Sequence, residues 1–389
     1  MNIVIFTHPS FLASQSMPRY AQFLHSGLSE RGHQVECVTP KAYFYHLPAP
    51  IGIKKYLGYI DQYLVFPIHF LVKLPSYSND TLFVFADQAL GPWVPLVKNR
   101  KHVVHCHDFI ALKSALGQHP EIQTSVTGKI YQNFIRNGFS KGENFISISQ
   151  KTQEHLHELH RGKIEKSSLC YNGLNRDFRP LDPVACRSLL EEKLNINLVG
   201  GYILHIGGNQ YYKNRCGVLE IYETWRNSTT NKLPLLMVGS PPTTELMLMH
   251  EKSLFKNDIH FITNLADNYI NPAYAGANCL VFPSLYEGFG WPIAEAMASG
   301  CLVITTAEAP MTEVGGEAAF YIPKRPNSDN NEMQIWKKSS SIVLNNVLSL
   351  SGSKRELAVR NSTKQAEKFN TIRALNAIEK CYEEISVKK

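Results

Sequence analysis

The sequence predicts an α/β protein built from two successive doubly wound units. Three observations carry the prediction. Strand-like runs are short and uniformly apolar, helical patterns separate them along the whole chain, and a composition break near the middle precedes a restart of the alternation. Strands of that kind fit a parallel sheet covered on both faces, because a solvent-facing side would show polar alternation. A length of 389 residues is also too great for one ordinary core.

NIVIF (2–6) reads as the first strand rather than a signal peptide, having neither a basic start nor a cleavage site. A helix is predicted over 17–31, where apolar residues recur at helical spacing until Gly32 stops them, and QVECVTP follows as the second strand. LFVF (82–85), HVVHC (102–106), NFISI (144–148) and SLCY (168–171) continue the series. The stretch 173–183, GLNRDFRPLDP, turns to Gly, Pro and charge and marks the domain boundary. The pattern restarts with YILHIG (202–207), PLLMVG (234–239), IHFI (259–262), CLVF (279–282), LVIT (302–305) and AAFYI (318–322). The domains are therefore expected at 1–178 and 179–365, with 366–389 as a C-terminal helix. Helical pattern over 354–386 is long enough to cross back to the first domain. PNSDNNE (326–332) reads as a surface loop.

The most apolar long stretch, 56–74, carries Asp61, Gln62, Pro67, His69 and Lys73, too many polar groups for a membrane span. It reads first as a buried helix and second as one lying on a surface. Residues 1–180 hold 19 Lys and Arg against 12 Asp and Glu, so the first half carries the whole formal charge of +7. That asymmetry points to an anionic partner or membrane surface on that side, or to a merely solvated basic face. Apolar content of 44% with 19% charged residues excludes wholesale disorder. Eight cysteines are scattered singly with no C-x-x-C pair, several inside apolar runs, which fits free thiols in a reducing cytoplasm.

The most informative motif is PSLYEGFGWPIAEAMASG (283–300). CLVF ends a strand, PSLYEGFG turns, and a helix opens with Pro292 at its first position and closes before Gly300. Amides near Phe289, Gly290 and Trp291 then sit at a helix N-terminus, where anions such as phosphate are favoured. Gly288 and Gly290 let the backbone approach a ligand. Glu295 falls in the first helical turn, either as an acid complementing the helix dipole or as an acceptor for sugar or ribose hydroxyls. In GGNQYYKNR (207–215), a strand, a turn containing Gly208 and Asn209, and the cation Lys213 form a phosphate-binding arrangement.

These residues resemble the nucleotide-sugar motif of glycosyltransferase family 4. The likeness extends through YNGLNRDFRP (171–180), ILHIGGNQYYKN (203–214), APMTEVGGEAAFYIP (309–323), RYAQFLHSGLSERGHQVECVTP (19–40) and HCHDF (105–109). The resemblance implies a GT-B fold, two facing Rossmann-like domains with a cleft between them. It implies Glu287 at the reacting face of the donor sugar, Glu295 on the ribose, and Lys213 with the 289–291 amides on the diphosphate. It also implies His107 beside the donor sugar, with Asp108 bracing the loop. The loop ITNLADN (262–268), with Leu265, is expected at the base. The family's usual arginine in the 207–215 loop is missing, so either Lys213 carries the charge alone or Arg215 substitutes. The first βα loop (8–20) has Ser14, Ser16 and Met17 where many members have two glycines, leaving the Ser16 contact open and Arg19 structural or acceptor-facing.

The HCH triplet is not read as a metal site, on the argument that alternate strand residues point to opposite faces and partners at metal-ligand spacing are missing. No Asp-x-Asp occurs, so no metal and no other cofactor is expected. The expected reaction is retaining, metal-independent glycosyl transfer from a nucleoside-diphosphate sugar to a glycan or lipid-linked acceptor, in surface polysaccharide or lipopolysaccharide synthesis. The expected location is cytoplasmic, with peripheral contact to an anionic inner membrane and no nucleic-acid partner. Rival readings are a nucleotide-sugar epimerase, a phosphorylase and a catalytically silent binding partner. A nicotinamide dehydrogenase is weaker, since no strand leads into G-x-G-x-x-G.

Overall fold

The structure, a computed structural model, describes residues 1–12, 16–174, 176–327 and 330–387. Ser14, the Ser16 side chain and residues 328–329 of the PNSDNNE stretch lie outside the described residues. The chain divides into two units, Met1–Asn175 with Thr371–Lys389, and Arg176–Asn370. The sequence reading places the corresponding boundaries at 178 and 365.

Among the described residues each unit holds one six-stranded sheet, parallel throughout. In the N-terminal unit β1 (Asn2–Phe6), β2 (Gln34–Val38), β3 (Leu82–Phe85), β4 (His102–Cys106), β5 (Asn144–Ser147) and β6 (Lys166–Leu169) lie in the order β2-β1-β3-β4-β5-β6. In the C-terminal unit β7 (Ile203–Gly207), β8 (Leu235–Gly239), β9 (Ile259–Thr263), β10 (Cys279–Phe282), β11 (Val303–Thr306) and β12 (Phe320–Ile322) lie as β12-β11-β10-β7-β8-β9.

The strands are apolar on both sides because both faces are covered. Val4 and Phe6 join a cluster with Phe85, Trp93 and Phe139, while Ile3 and Ile5 join Leu24, Val84 and Tyr382 on the other face. Each such side chain contributes about 1.5–3 kcal/mol on burial. The C-terminal core repeats the scheme around Trp225, Met237, Val281 and Trp336. Cys37 departs from its neighbours: it is exposed, because β2 is an edge strand. The cysteines are free thiols, and Cys170 and Cys381 approach to 3.7 Å between their Sγ atoms.

Two helical expectations need correction. The 354–386 pattern is not one helix: Gly352–Ala366 and Thr371–Val387 are separated by a 3-10 turn, Glu367–Phe369, and Asn370. Phe369 is buried there against Phe289, and the chain turns to fill that site. Helix Thr371–Val387 belongs to the N-terminal unit, where Glu379 bonds Arg31 and His33, each at 2.6 Å. The 56–74 stretch is not a buried helix. It runs as α-helix Ile51–Ile60, π-helix Asp61–Val65 and α-helix Phe66–Lys73, burying Phe66 and Phe70 on one side and exposing the other. No helix among the described residues is long and apolar enough to cross a membrane.

Candidate functional site

In an open parallel sheet the strand order reverses at one point, and the loops leaving the two strands there diverge to leave a crevice at their carboxyl ends. In the C-terminal unit that point lies between β10 and β7. The loops leaving these strands are stitched together. Leu285 N–H donates to the Tyr212 carbonyl at 2.7 Å, and Asn214 Nδ2 donates to the Pro283 carbonyl at 2.9 Å. Asn214 also caps helix Arg215–Asn227 by accepting from Gly217 N–H, at a positive φ of 53° that Asn tolerates.

Lys213 and Glu287 meet across this reversal. Lys213 Nζ lies 2.7 and 2.9 Å from the two Glu287 carboxylate oxygens, and Ser284 Oγ donates to Oε1 at 2.6 Å. The side chains are 18% and 8% exposed, so the pair sits at a crevice wall rather than in open solvent. The ammonium spends two of its three donors on the carboxylate. The same Nζ lies 5.4 Å from the Phe282 ring centroid, which helps seat the charge.

Arg215 adds a second cation at the end of this sheet. It is 5% exposed; Nη1 donates to Ser240 O at 2.9 Å and to Asn209 Oδ1, while Nε and Nη2 are buried without a hydrogen-bond partner among the described residues. Asn209 Nδ2 donates to Pro241 O, so that side chain is spent as a strut between the β7 and β8 loops. His205 lies beneath, with Nδ1 bonded to the Val281 carbonyl. Burial first, and then the charges of Arg215 and Lys213, push its pKa down to about 4. Two cations therefore crowd a neutral imidazole, with one of them already bound to a carboxylate. Such a site favours an anion.

Gly290 caps helix Trp291–Ala298 at φ +104°, a conformation that requires glycine. The helix start corrects two sequence expectations. Trp291 takes the first position and Pro292 the second, and Glu295, fifth in the helix, falls beyond the first turn. Glu295 instead accepts the Tyr274 hydroxyl at 2.8 Å; burial, reinforced by the Glu295 charge, holds that phenol well above its ordinary pKa. Phe289 is buried between Trp291 and Phe369 and anchors the loop, and Gly208 follows β7 directly. Leu265 is half-buried beyond β9, next to Asn264 at φ +57°.

In the N-terminal unit, His107 is buried, its Nε2 bonded to Ala86 O at 2.8 Å and its ring edge-on to Tyr20 at 4.4 Å. Burial lowers its pKa, so the imidazole is neutral. Asp108 accepts from Ile110 N–H at 3.0 Å, and Arg19 is exposed on helix Ser16–Ser29. Strand alternation does not separate the two histidines of HCH, contrary to expectation. Residues 105 and 107 are two apart, so they share a face, and both pack on Tyr20. His105 is held between the Tyr20 and Tyr382 hydroxyls at 2.8 and 2.7 Å, which consumes both ring nitrogens. A pair that sequence reasoning missed lies at the reversal between β1 and β3: His8 Nε2 to Asp87 Oδ2, 2.8 Å. Each lies two residues beyond a strand-like run, NIVIF and LFVF, which is the signal the sequence offers.

Residues 187–335 match the family profile described as glycosyl transferases group 1. The whole chain superposes on WaaG, a glycosyltransferase involved in lipopolysaccharide biosynthesis (TM-score 0.71, 16% identity, 99% of this chain and 100% of that one). It also superposes on Anabaena HepE in complex with UDP and glucose (TM-score 0.72, 15% identity, 99% and 100%). The fold is GT-B. Among curated sequences the chain is 24% identical over 264 residues to the O-antigen chain mannosyltransferase B of Escherichia coli, 66% of each chain. It is 25% identical over 196 residues to the O-antigen chain mannosyltransferase RfbU of Salmonella typhimurium, 50% of this chain and 51% of that one. The matched stretch thus spans less than two thirds of either relative.

Proposed function

We propose that this protein transfers a sugar from a nucleoside-diphosphate sugar to a glycan or lipid-linked acceptor in bacterial surface polysaccharide or lipopolysaccharide synthesis. The observation that carries the reading is the Lys213–Glu287 pair at the β10/β7 reversal, with buried Arg215 beside it. The family profile over 187–335, within the same unit, and the O-antigen mannosyltransferase relatives support it.

In this reading the diphosphate is drawn to Lys213, to the charge of Arg215 and to the amides opening helix Trp291–Ala298. Charge that develops on the leaving diphosphate is stabilised there. As phosphate engages Lys213, Glu287 is released toward the sugar while Ser284 continues to orient it, and Glu295 receives ribose hydroxyls in place of the Tyr274 phenol. The finer proposals are membership of glycosyltransferase family 4, retention of configuration without metal, and His107 contributing from the N-terminal unit as a neutral hydrogen-bonding group. The acceptor is proposed to be presented at the inner face of the membrane. Both curated relatives carry mannosyltransferase names, so mannosyl donors come first.

The test incubates the protein with mannosyl and glucosyl donors of uridine, guanosine and adenosine, with and without a lipid-linked glycan acceptor. Acceptor-dependent product that disappears in Lys213→Ala and Glu287→Ala is expected. Conversion of the donor without acceptor indicates an epimerase and overturns the reading.

A further inference from the structure

The N-terminal unit carries an apolar surface that its fold leaves unpartnered. Along the π-helix and the helix after it, Leu64, Ile68 and Val72 recur every fourth residue and are 60, 62 and 79% exposed. On helix Val126–Phe139, Val126, Ile130 and Phe134 repeat the spacing, with Ile130 66% exposed. The two stripes flank one aromatic seam. Tyr63 meets Phe134 edge-on at 5.2 Å and shares a 2.7 Å hydroxyl hydrogen bond with Tyr131, while Tyr59 stacks on Tyr131 at 5.3 Å. Isolated exposed apolar residues are ordinary on a protein surface; two parallel stripes joined by tyrosines are not.

The charges beside the stripes are almost all of one sign. Segments 41–76 and 125–141 together hold seven Lys and Arg and one acid, Asp61. Asp61 is fully buried and turned inward, accepting the backbone N–H of Phe44 at 2.9 Å and of Tyr45 at 2.8 Å. Lys54 and Lys55 rest over the Tyr45 and Tyr59 rings at 5.1 and 5.6 Å, in the pattern of cations sitting above an apolar layer.

We propose that this two-helix face is a docking surface for an anionic lipid bilayer. Leu64, Ile68 and Ile130 enter the acyl boundary, the tyrosine seam sits at headgroup depth, and the lysines meet acidic headgroups. A protein partner read by charge would ordinarily meet both signs around its apolar core, whereas a rim dominated by cations, with Lys73 paired to Glu36 of β2, complements an anionic lipid surface. The inference deepens the proposal of a membrane-presented acceptor by naming the surface that delivers the enzyme to it. It is tested without donor or acceptor, so it can fail while glycosyl transfer stands.

The experiment is flotation of the full-length protein with vesicles of phosphatidylcholine alone and of phosphatidylcholine with 30% phosphatidylglycerol, alongside light scattering. Co-flotation with the anionic vesicles is expected. Lys54→Glu with Lys55→Glu should weaken it about tenfold or more. Leu64→Ser with Ile68→Ser and Ile130→Ser should abolish it with unfolding temperature held, since these side chains are already in solvent. Absence of wild-type flotation, or binding unchanged in both variants, overturns the proposal. A wild-type dimer that the serine variant dissociates, without vesicle binding, also overturns it and assigns the face to a second copy of the chain.

Discussion

Each sheet reverses its strand order once, and at each reversal a close side-chain pair joins the two strand ends: His8 to Asp87 between β1 and β3, Lys213 to Glu287 between β10 and β7. The surroundings differ. At the N-terminal reversal the neighbours are satisfied. His107 bonds Ala86 O and Gln88, and Asp87 is capped by Ala89 N–H. Burial, the largest single influence, would raise the Asp87 pKa, but the His8 hydrogen bond, the nearby His8 and His107 rings and the Ala89 N–H together hold the carboxyl below its ordinary value. At the C-terminal reversal a second cation, Arg215, has buried donors without acceptors among the described residues. The difference teaches that the same topology positions a closed, self-satisfied network in one unit and an anion-seeking crevice in the other.

The most severe challenge to the comparison is Lys213→Ala. Transfer should fall about 10²- to 10³-fold in kcat, roughly 3–4 kcal/mol, with the N-terminal unit unaltered in hydrogen exchange. Activity that survives this change but vanishes in His8→Ala would reverse the roles assigned to the two reversals.

Gly138→Ala probes the N-terminal unit alone. An added Cβ would lie 2.4 Å from the Gly91 carbonyl, backbone that has no room to give. A loss of about 3 kcal/mol is expected, read as faster hydrogen exchange in strands β1–β6 while β7–β12 keep theirs.

Acid should weaken both units through buried histidines. Burial lowers His105 to about 3 and His205 to about 4 from an ordinary 6.5. Below pH 6.5 the unfolded chain takes up protons that the folded chain refuses, so stability falls as pH drops from 6.5 toward 3–4. The slope is roughly 1.4 kcal/mol per pH unit for each histidine, about 2 kcal/mol each by pH 5. Denaturant melts at pH 7 and 5 check this, and His105→Gln should remove the N-terminal share.

Ser284→Ala should have the smallest effect. It removes one bond to Glu287 Oε1. About 1.5 kcal/mol is expected, appearing in donor KM more than in stability.

The fold was legible because strands buried on both faces leave unbroken apolar runs. NIVIF, LFVF, HVVHC and CLVF are strands as quoted, and the others differ by a residue or two at an end. Lys213 and Glu287 were legible singly, since each follows a strand within a glycine-containing turn. Their pairing was not, because it depends on β7 lying beside β10, which is a matter of strand order and not of spacing. His8 and Asp87 escaped for the same reason, being 79 residues apart. The 56–74 stretch misled because its composition is that of a core while its arrangement, with Asp61 turned inward at a π-turn, leaves half of it in solvent.

The central claim is that the β10/β7 reversal receives a nucleoside diphosphate through Lys213. Thermal unfolding of wild type and Lys213→Ala, each with the uridine, guanosine and adenosine diphosphate sugars, tests it most directly. A donor at a hundred times its Kd should stabilise the wild type by about 2.7 kcal/mol, and the variant should lose most of that shift. A shift of equal size in the variant, or none with any donor in the wild type, would contradict the account.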